Sequence, residues 1–270
     1  MKMQPKPEAA FETWTPEAAA YALKNNTKNR RLREHTVKLY ANQMQRGLWV
    51  PNGESVKFDT NGRLIDGQHR LSAIFQSGIS QVICTVRNLP PDDSTFATID
   101  AGLRRTTGSV LAMDGVKGSH SIASIILYSH KVASGIHDKS RQVLSSSEIV
   151  QIYRTNPEMW DKIRLYTEGV KNIILRPAYG TFVQHALAKN ADLFDVFHSY
   201  FKTGAGLNNS SPILALRNYL INKNAQKYSS NEKTRTAQMN ACAIAWNAWR
   251  QGKTQKHIKP NSENYNINLI

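Results

Sequence analysis

The hydrophobic pattern changes period repeatedly over the first ninety residues and then settles into one. Thr15-Pro16 reads as a helix start, with Thr15 as N-cap and Pro16 at the first helical position, where its missing N–H is harmless. A second helix is predicted over about 32–46: Val37, Tyr40, Ala41, Met44 and Leu48 follow helical spacing, and Gly47 stops it. Val56 and Phe58, the turn Asp59-Thr-Asn-Gly62, and Leu64 and Ile65 form a hairpin signature. Gln68 to Gln76 follows as a helix carrying Leu71, Ile74 and Phe75 and closed by Gly78, and Gln81 to Arg87 is a β-branched strand.

After Pro90-Pro91 only helical spacing remains. Helices are expected over 92–99, 106–113 and 120–134, and Ser145-Ser-Ser-Glu148 has capping-box spacing ahead of Ile149, Val150 and Ile152. Others follow near 157–171, 177–189, 192–202, 212–223 and 233–251, and the polar stretch after it, with Pro260, reads as a loose tail. The class is α+β: a small mixed-sheet α/β domain over 1–112, a mainly helical basic domain over 113–252, and a polar tail over 253–270. No internal repeat is visible.

Composition adds a charge to explain. The chain has 270 residues, with 35 Lys and Arg against 20 Asp and Glu and a net charge of +15. Residues 201–270 hold 10 basic and 2 acidic side chains, a net of +8, while residues 51–100 hold 4 and 6, a net of −2. Clustered cations gain affinity for phosphates by releasing counterions, so the C-terminal part is expected to face DNA or RNA. Arg217, Lys223, Lys227, Lys233, Arg235 and Arg250 are the candidate contacts. No apolar run approaches the ~18 residues that cross a bilayer. Cys84 and Cys242 are the only cysteines, which excludes a disulfide scaffold. A soluble cytoplasmic protein without a membrane partner is the expectation.

The chemistry concentrates in two turns. In Asp66-Gly67-Gln68-His69-Arg70 a strand delivers Asp66 to the sheet edge, Gly67 permits a tight turn, and the next helix starts with outward N–H groups. Arg70 can add a bidentate phosphate contact, His69 can move a proton near neutral pH, and Asp66 can hold magnesium. The same spacing also allows Asp66 to cap the helix, His69 to close a hydrogen bond in the turn and Arg70 to pair with a carboxylate. The second turn, around Asp100, Gly102, Arg104, Arg105 and Thr106, repeats the design, with Asp100 as a second metal-ligand candidate. Asn29-Arg30, between the first two helices, is a third basic element. Walker, GxGxxG, HExxH and paired CxxC motifs are absent, and the remaining histidines show no ligand spacing. Trp160, Trp246 and Trp249 fall at helical spacing in apolar stretches and read as core.

Gly67-Gln-His-Arg70-Leu-Ser-Ala73 has the form G-x-x-R-x-x-A, and through it the chain resembles the ParB/sulfiredoxin-like superfamily. Asp66 to Arg70 is similar to the DGQHR variant in ParB-like proteins of phages and mobile elements; a phage-encoded chain would work in the host cytoplasm. The resemblance extends over about residues 15–112 and includes Asn29-Arg30 and Ile99-Asp100-Ala-Gly102 with Arg105-Thr106. It implies a small mixed sheet with helices used as a nucleotide-binding module. Gly67, Arg70 and Ala73 match the phosphate box itself. Gln68 stands where sulfiredoxins carry their cysteine, so sulfinic-acid reduction is not implied.

The leading expectation is a protein that binds a nucleotide or a nucleic-acid phosphate at the Asp66–Arg70 turn, with magnesium as a possible companion. Nucleotide hydrolysis is left open, and a homodimer is one arrangement in which such a pocket closes. A metal-dependent nuclease using Asp66, His69 and Asp100 is the alternative from a second class. A non-catalytic protein that engages a host factor is the third.

Overall fold

The computed structural model describes residues 6–27, 29, 31–91, 106–136, 144–225 and 231–270, without the side chains of 223–225. The chain divides into two compact units, Met1–Arg104 and Arg105–Ile270. The division falls earlier than the expected 112/113, because the helix Thr107–Met113 packs on the helices that follow it.

The first unit contains β1 (Glu8–Trp14), α1 (Pro16–Leu23), α2 (Glu34–Gln45), β2 (Ser55–Asp59), β3 (Leu64–Asp66), α3 (Gln68–Ser77) and β4 (Gln81–Leu89). The sheet order is β1-β4-β2-β3. It is mixed: β1 and β3 pair antiparallel with β4 and β2, and β2 lies parallel to β4. Thr15 accepts the Ala18 N–H at 3.2 Å, with Pro16 in the first turn of α1. The hairpin turn is fixed by Asp59, whose Oδ1 accepts the N–H groups of Asn61 and Arg63 at 2.9 Å each. Val56, Phe58, Leu64, Leu71, Ile74 and Ile83 form the core under the helices.

Strand β1 is absent from the sequence reading. It alternates weakly, and it becomes a strand by pairing from Glu8↔Arg87 to Trp14↔Gln81. Trp14 anchors it, donating Nε1–H to Thr85 Oγ1 at 2.9 Å and stacking on Phe58.

The second unit contains α4 (Thr107–Met113), α5 (Ser119–Ala133), α6 (Ser146–Thr155), α7 (Pro157–Glu168), α8 (Arg176–Lys189), α9 (Ala191–Thr203), α10 (Pro212–Ala225) and α11 (Glu232–Arg250). No strand follows Leu89 among the described residues, as the helical period implies. The expected capping box is present: Ser145 Oγ accepts the Glu148 N–H at 3.2 Å and Glu148 Oε2 accepts the Ser145 N–H at 2.9 Å. Phe182, Phe194, Phe197, Phe201 and Trp246 form the centre of its core. The aromatic residues at helical spacing therefore serve packing. Among the described residues no helix is long and apolar enough to cross a membrane.

The loose tail is a correction. Residues 253–270 lie along α11, with Ile258 and Leu269 buried in the core. Asn240 Nδ2 donates to the carbonyls of Asn261 and Asn264 at 2.8 Å, and its Oδ1 accepts the Asn266 N–H at 2.9 Å. Seven residues on, Asn247 holds the Asn268 carbonyl and the Ile270 N–H in the same way. Polar composition suggested solvent, but α11 supplies amides that match an extended backbone. Asn240→Ala leaves buried backbone groups unpaired and is expected to lower the stability of this unit by about 2–3 kcal/mol. The check is a lower urea midpoint at unchanged slope.

Candidate functional site

The strand–glycine–helix turn at β3–α3 is built on a close approach. Gly67 has φ +97°, and a Cβ there would lie 2.9 Å from both Cα and Cγ2 of Val56. A side chain is therefore excluded by conformation and by space. The Gly67 carbonyl accepts the N–H groups of Arg70 and Leu71 at 2.9 and 3.0 Å, which starts α3 directly beneath β2. That start places Arg70, one turn in, against the beginning of β2.

Arg70 is held on two sides. Its Nη1 donates to the Ser55 carbonyl at 2.9 Å and lies 3.9 Å from Asp66 Oδ2. Its Nη2 pairs with Glu54 Oε2. The arginine side chain is 13% exposed and the Glu54 side chain 63%, so the inner partners are fixed and the outer one lies in solvent.

Asp66 accepts the Gly67 N–H on Oδ1 at 2.7 Å and the Lys57 ammonium on Oδ2 at 2.8 Å. Burial pushes its pKa up, but the Lys57 hydrogen bond and charge, the Arg70 charge and the Gly67 N–H outweigh that and hold it below 3.8. It is an anion at neutral pH. Lys57, Glu54 and Ser55 are the members that sequence reading missed. Lys57 faces Asp66 through a register shift between Lys57 and Phe58, which a regular hairpin pattern does not display. Glu54 carries no local signal either.

His69 accepts the Arg33 backbone N–H on Nε2 at 3.0 Å, so this ring nitrogen carries no proton and serves the chain connection ahead of α2. Gln68 is buried, and its Oε1 accepts from Asn26 Nδ2 at 3.0 Å. Asn29 donates to Asn26 at 2.6 Å and to the Leu64 carbonyl at 2.8 Å, which ties it to β3. The structure thus gathers Asn29, Asp66, Gly67, Gln68, His69 and Arg70. Arg30, Asp100, Gly102, Arg104 and Arg105 lie outside the described residues. Thr106 belongs to the second unit, where its hydroxyl caps α4 by accepting the Ser109 N–H.

Each Asp66 oxygen accepts one hydrogen bond, from Gly67 N–H and from the Lys57 ammonium at 2.8 Å, so a cation approaching Oδ2 would stand beside that ammonium.

The basic candidates of the second unit have varied partners. Arg217 Nη1 donates to the carbonyls of Phe201 and Lys202, capping the end of α9. Lys233 pairs with Glu263 at 2.6 Å, and Arg250 sits over the Trp246 ring at 5.7 Å. Arg235 belongs to α11, and its Nε is buried. The Lys223 side chain and Lys227 lie outside the described residues.

No known protein family, curated protein or solved structure matches this chain.

The depressed Asp66 pKa fixes a pH dependence. Its stabilisation is present above the unfolded value of 3.8 and is lost as pH falls through the folded value. Asp66→Asn should therefore destabilise the first unit at neutral pH, by about 2 kcal/mol for a charge-assisted bond. The gap to the parent should close below about pH 4, as followed by urea unfolding across pH.

Proposed function

We propose that the first unit is a ParB/sulfiredoxin-like nucleotide or nucleic-acid-binding module whose β3–α3 turn takes a phosphate group, with the second unit's excess positive charge drawing DNA or RNA. The observation that carries this reading is the asymmetry around Arg70. The Ser55 carbonyl and Asp66 orient the guanidinium from inside, while its outer nitrogen is held by the solvent-exposed Glu54. A phosphate oxygen replaces that carboxylate like for like. The displaced pair costs little, because an ion pair with one partner in water contributes about 0–1 kcal/mol. The phosphate gains a pre-oriented, charged donor in the outer guanidinium nitrogen.

Lys57 supports the same reading. It balances Asp66, so that Arg70 is not fully neutralised from within. The match of Gly67, Arg70 and Ala73 to the G-x-x-R-x-x-A box adds to it. Ala73 is fully buried on α3, where a small residue suits the packing against neighbouring helices. In this reading Arg70 and the start of α3 hold phosphate, and His69 and Gln68 maintain the turn. With His69 Nε2 engaged and Asp66 salt-bridged, the arrangement favours binding over cleavage.

Calorimetric titration with the four ribonucleoside triphosphates and with a short duplex, with and without magnesium, tests the reading. Arg70→Gln is expected to weaken binding by tenfold or more, about 1.4 kcal/mol. Glu54→Gln should strengthen it by removing the competing anion. Absence of binding, or binding indifferent to both changes, overturns the proposal.

A further inference from the structure

A second concavity in the first unit lies apart from the β3–α3 turn. It opens between α1 and the ends of β1, β2 and β4, with a volume of about 420 Å³ and walls that include Glu12, Trp14, Tyr21, Asn25, Phe58 and Arg87. That volume is within the range of small-molecule pockets, roughly 300–1,000 Å³. None of these residues belongs to the anion-binding turn.

The surfaces are flat. Trp14 and Phe58 stack with ring centres 5.8 Å apart and planes 17° from parallel, and both are buried. The Arg87 guanidinium carbon lies 5.1 Å from the Phe58 ring centre. Tyr21, on α1, is 70% exposed, a large aromatic surface left in water. Ala18 and Ala22 line the same helix in this cleft, where short side chains leave the space open. Polar groups stand beside these rings. Glu12 and Arg87 are joined by two hydrogen bonds, at 3.1 and 2.7 Å, and the Asn25 amide is a further donor and acceptor, with a long contact of 3.3 Å to the Gly62 carbonyl.

Three ligand chemistries suit aromatic walls, and the charges choose among them. A quaternary ammonium is disfavoured because cations already sit on the rings: Arg87 on Phe58, and the Lys24 ammonium 5.6 Å from the Tyr21 centre. An aliphatic chain would set methylenes against a carboxylate and a guanidinium with nothing to satisfy them. A planar heterocycle with N–H and carbonyl edges meets both requirements. Its face stacks on Tyr21 or on the guanidinium layer, and its edge meets Glu12, Arg87 and Asn25.

We propose that this cleft is a nucleobase site, recognising the base of a nucleoside or of an unstacked nucleotide independently of any phosphate. The site does not depend on the reading of Arg70, and nucleosides separate the two.

The experiment titrates the full-length protein with adenosine, guanosine, cytidine and uridine, none of which carries phosphate, by calorimetry or saturation-transfer NMR. At least one nucleoside is expected to bind. Tyr21→Ala, at an exposed position, should weaken it about tenfold. Arg87→Lys keeps the charge but loses the planar fork, and should also weaken binding or change which base is preferred. Arg70→Gln should leave nucleoside affinity within about twofold, even if it abolishes phosphate-dependent binding. The proposal is overturned if no nucleoside binds at millimolar concentration, if Tyr21→Ala and Arg87→Lys both leave affinity and base preference unchanged, or if tetramethylammonium displaces the nucleoside.

Discussion

The first unit depends on the contact of Gly67 with Val56. The space for a Cβ is missing and φ is positive, so the chain leaves β3 and enters α3 without stepping away from β2. Because the helix begins that close to the sheet, a side chain one turn later reaches the start of β2. Arg70 consequently bonds the Ser55 carbonyl while its own backbone N–H closes the turn on Gly67. The glycine and the arginine of the motif are thus two ends of one geometric requirement. A bulkier residue at 67 would move α3 and with it the guanidinium.

That placement creates a group of four charges, Glu54, Lys57, Asp66 and Arg70, which is neutral in sum. Neutrality matters because partly buried charges are costly when unpaired. The four are not equivalent. Lys57, Asp66 and Arg70 have side chains between 13% and 26% exposed, whereas Glu54 is largely in water. Losing Glu54 from the group leaves a positive remainder facing solvent. This is how a turn with satisfied ion pairs can still favour an incoming anion.

Much of this fold is legible in the sequence, and the parts that are not share a cause. The hairpin, α3 and the Ser145 capping box rest on local spacing, and local spacing is what a sequence displays. Strand β1 rests on pairing with residues 67 to 79 positions away, and its alanines and glutamates give no local hint of a strand. The C-terminal strap rests on Asn240 and Asn247, which share a face of α11 seven residues apart and match carbonyl and N–H groups of a polar segment. The candidate site divides in the same way. Gly67 and Arg70 are visible as a motif, whereas Glu54 and Lys57 join them through tertiary placement and strand register. His69 and Gln68 are within the motif, yet tertiary hydrogen bonds commit them to holding the turn.

The basic C-terminal region separates two effects that composition merges. Short-range contact needs a cation free to approach a phosphate, and Arg217, spent on the end of α9, is poorly placed for that. Long-range attraction needs only charge, and bonding a guanidinium to carbonyl oxygens leaves its charge intact. Neutralisation takes an acid, and residues 201–270 contain only Glu232 and Glu263 against ten cations. Glu263 is paired with Lys233, and Glu232 takes both Lys131 and the Tyr265 hydroxyl. Most of the excess therefore persists as field after folding. A field of this kind raises the encounter rate with a polyanion and falls off with salt over about 8–10 Å at ordinary ionic strength. The C-terminal charge is accordingly better suited to bringing a polyanion near than to reading its sequence.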